Sequence, residues 1–225
     1  MRYGFYLPTR GPTATRDGIL SLAREGERLG LHSAMIADHI VFPVESQSPY
    51  PYTLDGKHPS VGDALETFSI LGVVAGATER LRLVTSVLVL PYRNPVLTAK
   101  MVASLDVLSG GRVTLGVGTG WLKEEFEALS SPDFNRRGAV TDEWITIFKQ
   151  LWAQSPASFA ADFIVTPISA ASRSRCKSRI RQSGSAGIRP RRCAVPHDMA
   201  MAGIRLAASR PRRCRPKRCA RIWKS

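Results

Sequence analysis

Cysteine is absent from residues 1–163 of this 225-residue sequence; all four, Cys176, Cys193, Cys214 and Cys219, lie beyond them. The absence excludes disulfides and a cysteine-held metal from the first part, and no metal is expected there. Long apolar runs are missing as well, since nothing approaches the roughly 20 residues that span a bilayer. The opening MRYGFYLPTRG is too short in apolar run for a signal peptide and has no cleavage pattern. A cytoplasmic protein without membrane contact is the expectation. Acidic residues are missing from the other end: after residue 163 only Asp198 faces about 17 Lys and Arg, whereas residues 1–163 hold about 15 basic and 17 acidic side chains. The formal charge of +14 therefore belongs to the last 62 residues and does not characterise the rest.

What is present in the first part is alternation. Four apolar strand candidates, Arg2–Pro8, Ser33–Asp38, Leu81–Leu90 and Arg112–Gly116, are each followed by helical periodicity. Ile19, Leu20, Ala23 and Leu29 recur at helical spacing between Asp17 and Gly30. Residues 40–62 are irregular and rich in Pro, Ser, Tyr and Gly, and Ala64–Ala77 reads as the second helix. Asn94 and Pro95 supply a cap and a first-turn proline for a third, with Leu97, Met101, Val102, Leu105 and Leu108 as its buried stripe and Gly110-Gly111 as its stop. A fourth helical segment covers Asp142–Trp152, with Trp144, Ile145, Phe148 and Leu151 inward.

Strict β-α alternation implies parallel strands joined by right-handed crossovers, in a (β/α)8 barrel or a doubly wound sheet. Ligands sit at the carboxyl ends of the strands in both. Asp38-His39 closes the second strand, where a histidine can accept or donate a proton near neutral pH beside a carboxylate that tunes it, or the pair is a capping Asp and a hydrogen-bonded His with only a structural role. Thr85-Ser86-Val87 interrupts an apolar strand with hydroxyls that face a ligand or bond local backbone. GVGTGW, with Gly116, Gly118 and Gly120, suits close approach of a phosphate or a flat ring, or a tight strand-to-helix turn. Its glycine spacing does not fit the dinucleotide fingerprint.

Taken together, ADHI at 37–40, TSVLVLPYRNP at 85–95, LDVLSGGR at 105–112 and GVGTGWLKEEFEALS at 116–130 closely resemble the luciferase-like monooxygenase superfamily, and within it the coenzyme F420-dependent oxidoreductases (LLM class). The resemblance covers residues 1–163. It implies an α/β fold, the first half of a (β/α)8 (TIM) barrel, and hydride transfer between a deazaflavin and a small organic substrate. FMN, in a monooxygenase on the same barrel, is the alternative cofactor. By motif, Asp38 and His39 match the Asp-His near the deazaflavin, His39 being the candidate acid or base. Ser86-Val87, after Thr85, matches the pair that forms a non-prolyl cis peptide behind the ring, and Gly118 and Gly120 match the glycines beside the cofactor. Full-length relatives are expected to be homo-oligomers. The sequence departs from the sugar-phosphate dehydrogenases of this family: Trp121 replaces the glutamate after GVGTG, and Phe42-Pro43 replaces a tryptophan beyond the Asp-His. A sugar-phosphate substrate is therefore not expected.

After Phe163 the periodicity stops. A basic tail that binds polyanions is one explanation, but its Cys and Trp are atypical of nucleic-acid tails, so nucleic acid is not expected as a partner. The other is a reading frame displaced by one base near codon 163. Regrouping the possible codons of Asp198–Ile204 admits HGDGWH, similar to the family's GDGWHP, and Ile180–Arg189 admits PAIWVGGHS, similar to its fifth strand and phosphate loop. The same frame permits ALRRAARHGDGWHPVGG and PLPPEEMRADLEK. The expected organisation is a half barrel over 1–163 and an out-of-frame, natively unfolded tail over 164–225. A half barrel leaves sheet edges and one sheet face uncovered, so the 225-residue product is expected to be unstable and inactive.

Overall fold

The computed structural model describes residues 1–153 except 45, 52 and 57–63, and beyond them residues 157–159, 162–163, 168–170, 179–183 and 208–209. Its first part alternates as the apolar pattern requires: β1 (Gly4–Tyr6), α1 (Arg16–Arg28), β2 (Ser33–Ile36), α2 (Thr67–Ala77), β3 (Arg82–Val89), α3 (Pro95–Leu108), β4 (Val113–Gly118), a six-residue α4 (Lys123–Ala128) and α5 (Arg137–Ala153). A 3-10 turn, Leu90–Tyr92, joins β3 to α3. Strands β1 to β4 lie side by side in sequence order and pair in parallel. Sequential order decides between the two architectures left open above. A doubly wound sheet reverses direction at a switch point, whereas winding that never reverses keeps its helices on one face, as a barrel does.

Burial follows that division. Ala34, Ile36, Leu83, Val113, Leu115 and Val117 are buried beneath the helices. Their neighbours Ser33, Met35, Arg82 and Val84, on the opposite face, are only half-buried. The core continues into α5, where Trp144, Ile145, Phe148 and Leu151 are all buried and Trp152 Nε1 donates to Ala99 O of α3 at 3.0 Å. Phe163 packs against this core, and its N–H and that of Asp162 donate to Glu143 of α5.

Local chemistry sets the helix ends. Asn94 Oδ1 accepts from the N–H groups of Val96 and Leu97, with Pro95 in the first turn of α3, as expected. The stripe expected for α3 is partly wrong: Leu97 and Leu108 are exposed, and the buried face is Thr98, Ala99, Val102, Ala103, Leu105 and Asp106. This helix carries apolar residues on most sides, and its small residues are the ones that let it approach the sheet. Leu29 is likewise exposed, because it caps α1 rather than lying within it.

Beyond residue 163, where no native fold was expected, the described residues form three short strands: β6 (Ile168–Ala170), β7 (Arg179–Ser183) and β8 (Ala208–Ser209). With β5 (Ala157–Phe159), β6 makes an antiparallel pair. The parallel sheet continues β4-β7-β8, with Thr114 opposite Arg179 and Val117 opposite Gln182. Thus β7 takes the fifth place in the sheet, on the stretch whose regrouped codons read as a fifth strand. The remainder of the tail, including the stretch regrouped as GGHS, lies outside the described residues.

Candidate active site at the carboxyl ends of the strands

The ends of β1 to β4 bring the expected residues into one neighbourhood, but with a different division of labour. Asp38 is buried just past β2 and its oxygens are fully engaged. Arg93 forks onto it, Nη1 to Oδ2 at 2.7 Å and Nη2 to Oδ1 at 2.8 Å. The Val89 N–H donates to Oδ2 at 2.9 Å and the Thr67 hydroxyl to Oδ1 at 3.1 Å. One carboxylate therefore ties the end of β2 to β3, to the start of α2 and to the loop before α3. Arg93 also reaches Glu66, which caps α2 through the Ser69 N–H. Burial opposes the charge of Arg93, but the hydrogen bonds and charges of Asp38 and Glu66 outweigh it and hold its pKa above the ordinary value.

The carboxylate on His39 is thus not Asp38, as the adjacent pair in the sequence implied, but Glu125. His39 Nδ1 lies 2.8 Å from Glu125 Oε2, and Glu125 Oε1 accepts the N–H groups of Ile40 at 2.7 Å and Val41 at 3.1 Å. The Glu125 side chain is wholly buried, whereas that of His39 remains 14% exposed. Tyr92 is buried beside the same carboxylate; burial first, then the Glu125 charge, pushes its phenol far above the usual range. Glu125 was missed in the sequence, although a signal existed. In α4 it falls on the inward stripe with Leu122 and Phe126, where an acid has no place without partners.

Ser86-Val87 is a cis peptide with no proline, as the resemblance implied. It coincides with a shift in the β3–β4 register between Thr85 and Leu88. Thr85 and Ser86 separate here. The buried Thr85 hydroxyl donates to Gly116 O at 2.8 Å and accepts from Gly116 N at 3.1 Å, patching the ladder at the shift, which is the backbone role left open for it. Ser86 is half-exposed, with its Oγ 2.6 Å from the Tyr6 hydroxyl at the end of β1. The glycines answer to protein packing. A Cβ on Gly118 would lie 2.5 Å from Val87 Cγ2, and one on Gly120, at φ +83, would lie 2.7 Å from Phe126.

Aromatic rings surround His39. Phe42 lies 4.4 Å from it between centroids, and Trp121 meets it edge-on at 6.1 Å, with Tyr50 at 5.1 Å from Trp121. The loop that carries Tyr50 is held to α4 by Glu124, whose Oε1 accepts from Gln47 N and Ser48 N. A cavity of about 800 Å³ opens between this loop, Trp121, Glu124, Phe134 and Arg137. The residues where this sequence departs from the sugar-phosphate pattern, Phe42 and Trp121, are therefore the ones against His39. Among the described residues no group of acids, histidines and cysteines can hold a metal, and no helix is long and apolar enough to cross a membrane.

The sequence profile of the luciferase-like monooxygenase family matches residues 1–204. The chain belongs to this family. An uncharacterized protein of Mycobacterium tuberculosis is 39% identical to this luciferase-like chain over 150 residues, 66% of this chain and 52% of that protein. The FMNH2-dependent dimethylsulfone monooxygenase of Pseudomonas putida is 34% identical over 114 residues, 50% of this chain and 29% of the relative. The F420-dependent glucose-6-phosphate dehydrogenase of Amycolatopsis mediterranei is 30% identical over 148 residues, 64% of this chain and 40% of the relative. The chain thus spans about half the length of its relatives or less. Its fold matches that of a monooxygenase from Streptomyces bottropensis, at a TM-score of 0.63 and 24% identity over 81% of this chain and 53% of the other. It also matches the coenzyme F420-dependent tetrahydromethanopterin reductase of Methanopyrus kandleri, at 0.59 and 19% identity over 81% and 50%.

Proposed function

We propose that residues 1–163 are the front half of a coenzyme F420-dependent oxidoreductase, in which His39 exchanges a proton while a hydride moves between the cofactor and a small organic substrate. The observation that carries this reading is a mostly buried histidine, held by a buried glutamate, at the same strand ends as the half-exposed Ser86-Val87 peptide. The residues present fit the ring of such a cofactor. Ser86 and Val87 offer a flat, half-exposed face, with the Ser86 and Tyr6 hydroxyls at its edge. When bound, a deazaflavin supplies hydride chemistry at C5. Around it this chain orients His39 through the Glu125 contact at Nδ1 and excludes water with Phe42 and Trp121. Those rings stand where the sugar-phosphate pattern has other residues, so a sugar phosphate is not the substrate proposed. The FMN-dependent monooxygenase reading is favoured by the Pseudomonas putida relative.

The second half of the barrel, on this proposal, is encoded one base out of frame after codon 163, and the 225-residue product is unstable and inactive. Sequencing across that codon tests the frame; independent reads with codons that cannot be regrouped as above would overturn it. The gene product is then reconstituted separately with F420 and with FMN and screened against small alcohols, ketones and enones. Turnover with F420 and no oxygen uptake supports the proposal. An oxygenated product that forms only with the protein and reduced FMN, and not with F420, would replace it with the monooxygenase.

A further inference from the structure

We propose that Glu125 is the positioning residue of His39, fixing its imidazole as the Nδ1–H tautomer so that Nε2 is the proton-exchanging atom. The inference rests on the reading of His39 given above, but its geometry stands independently. Glu125 Oε1 accepts the N–H groups of Ile40 and Val41, two donors with fixed positions in the chain immediately after His39. Those bonds leave the carboxylate no freedom to turn. Oε2 must then face His39 Nδ1, which it does at 2.8 Å. An ionised carboxylate is an acceptor only, so the ring must bring the proton, on Nδ1. Phe42, 4.4 Å from the imidazole, limits rotation of the ring away from this contact. A carboxylate that holds one ring nitrogen of a histidine sets which tautomer works at the other. Here the carboxylate comes from a helix, α4, 86 residues along the chain.

Glu125→Gln discriminates this role from a merely structural one, because the two carboxamide ends are not equivalent. Its oxygen is required where Ile40 and Val41 donate, which turns its NH2 towards Nδ1. The ring must then accept at Nδ1 and carry its proton on Nε2. The measurement is the two-bond 1H–15N pattern of the imidazole, assigned by its loss in His39→Gln, together with turnover on the alcohol, ketone and enone panel. The protein is the full gene product in whichever frame sequencing establishes, since residues 38–125 are common to both. The expected result is a protonated Nδ1 in the wild type and a protonated Nε2 in Glu125→Gln, with kcat lowered about 100-fold or more and KM little changed. A protonated Nε2 in the neutral wild-type ring would overturn the proposal by itself, even if the variant did not fold. An unchanged Nδ1–H tautomer in a folded Glu125→Gln would overturn it too. If the tautomer inverts while turnover is unaffected by either Glu125→Gln or His39→Ala, the positioning role stands and the proton-exchange reading of His39 fails.

Discussion

Val87 occupies the space that a side chain at position 118 would need: a Cβ there would lie 2.5 Å from Val87 Cγ2. The glycine of β4 and the valine of the β3 irregularity are therefore one packing unit. Valine is stiff about χ1 and cannot swing its methyl aside cheaply. Gly118→Ala is expected to cost about 1–3 kcal/mol, as overpacking does. Val87→Ala should recover most of that loss in the double variant, a coupling that separates a specific contact from general intolerance. Urea midpoints of the four proteins read it, and strict additivity would show that the two side chains do not compete for this space.

Asp38 and Arg93 form a second unit, with side chains 0% and 12% exposed. Removing one partner of such a pair strands the other charge, which typically costs about 3–5 kcal/mol. Asp38→Ala should approach that range, and Asp38→Ala combined with Arg93→Met should be clearly more stable than Asp38→Ala alone. Glu66, also bound to Arg93, will retain part of the stranded charge's compensation, so the lower end is expected. Equal stability of the single and double variants would mean that Asp38 acts only through Val89 and Thr67.

The contrast between these pairs shows what a sequence makes legible. Strands, helix caps and the residues at the strand ends could be read directly, because they depend on local periodicity, on Asn94 and Pro95, and on motifs whose members are close in the chain. The family followed from the order of those motifs. Partner choice did not follow. Asp38 and His39 are neighbours in sequence, yet the Asp38 carboxylate meets Arg93 and the His39 ring meets Glu125. Both partners stood inside motifs already noted, TSVLVLPYRNP and GVGTGWLKEEFEALS, without a role. Arg93 is 55 residues from Asp38, and Glu125 86 from His39. Such pairings are properties of parallel packing, which brings β2 beside β3 and sets α4 against the segment that follows β2, rather than of spacing.

Glu27, near the end of α1, makes a clasp of a similar kind away from the site. Its carboxylate accepts the N–H groups of Glu79 at 3.0 Å, Arg80 at 2.6 Å and Leu81 at 2.8 Å, closing the turn that leads into β3. Glu27→Ala should destabilise by about 1 kcal/mol, the net worth of the lost bonds, because water can replace the carboxylate at the exposed Glu79 and Arg80 N–H groups. Faster amide exchange at residues 79–81, with exchange in α5 shifted only by the global change, would localise the effect. Uniform acceleration across the sheet would instead make the clasp part of the global unfolding unit.

Acid should weaken the fold in two steps. Burial first, then Arg2 and Arg82, depress the pKa of His32 below 6.5, so the unfolded chain binds this proton more readily than the folded one. The corresponding stability is complete above pH 6.5 and declines as pH falls through the depressed folded value. Glu66 contributes the second step. Burial raises its pKa, but the N–H groups of Phe68 and Ser69, the Ser69 hydroxyl and Arg93 together outweigh burial and bring it below 4.5. Ionised Glu66 therefore stabilises the folded state above pH 4.5, and that contribution disappears as pH drops through its folded value. Burial raises the pKa of Glu27 and Glu124 too, but the backbone N–H groups on Glu27, and the Ser48 hydroxyl with backbone N–H groups on Glu124, outweigh it, so both steepen this second step. Urea midpoints between pH 8 and pH 3 should fall gently below about 6.5 and more steeply below about 4.5. His32→Gln should flatten the first decline and leave the second. Glu66→Gln should lower the plateau and reduce the second slope, because the variant has no proton to take up there. A Glu66→Gln profile parallel to the wild type throughout would show that the Phe68 and Ser69 N–H groups, the Ser69 hydroxyl and Arg93 together do not favour an ionised Glu66.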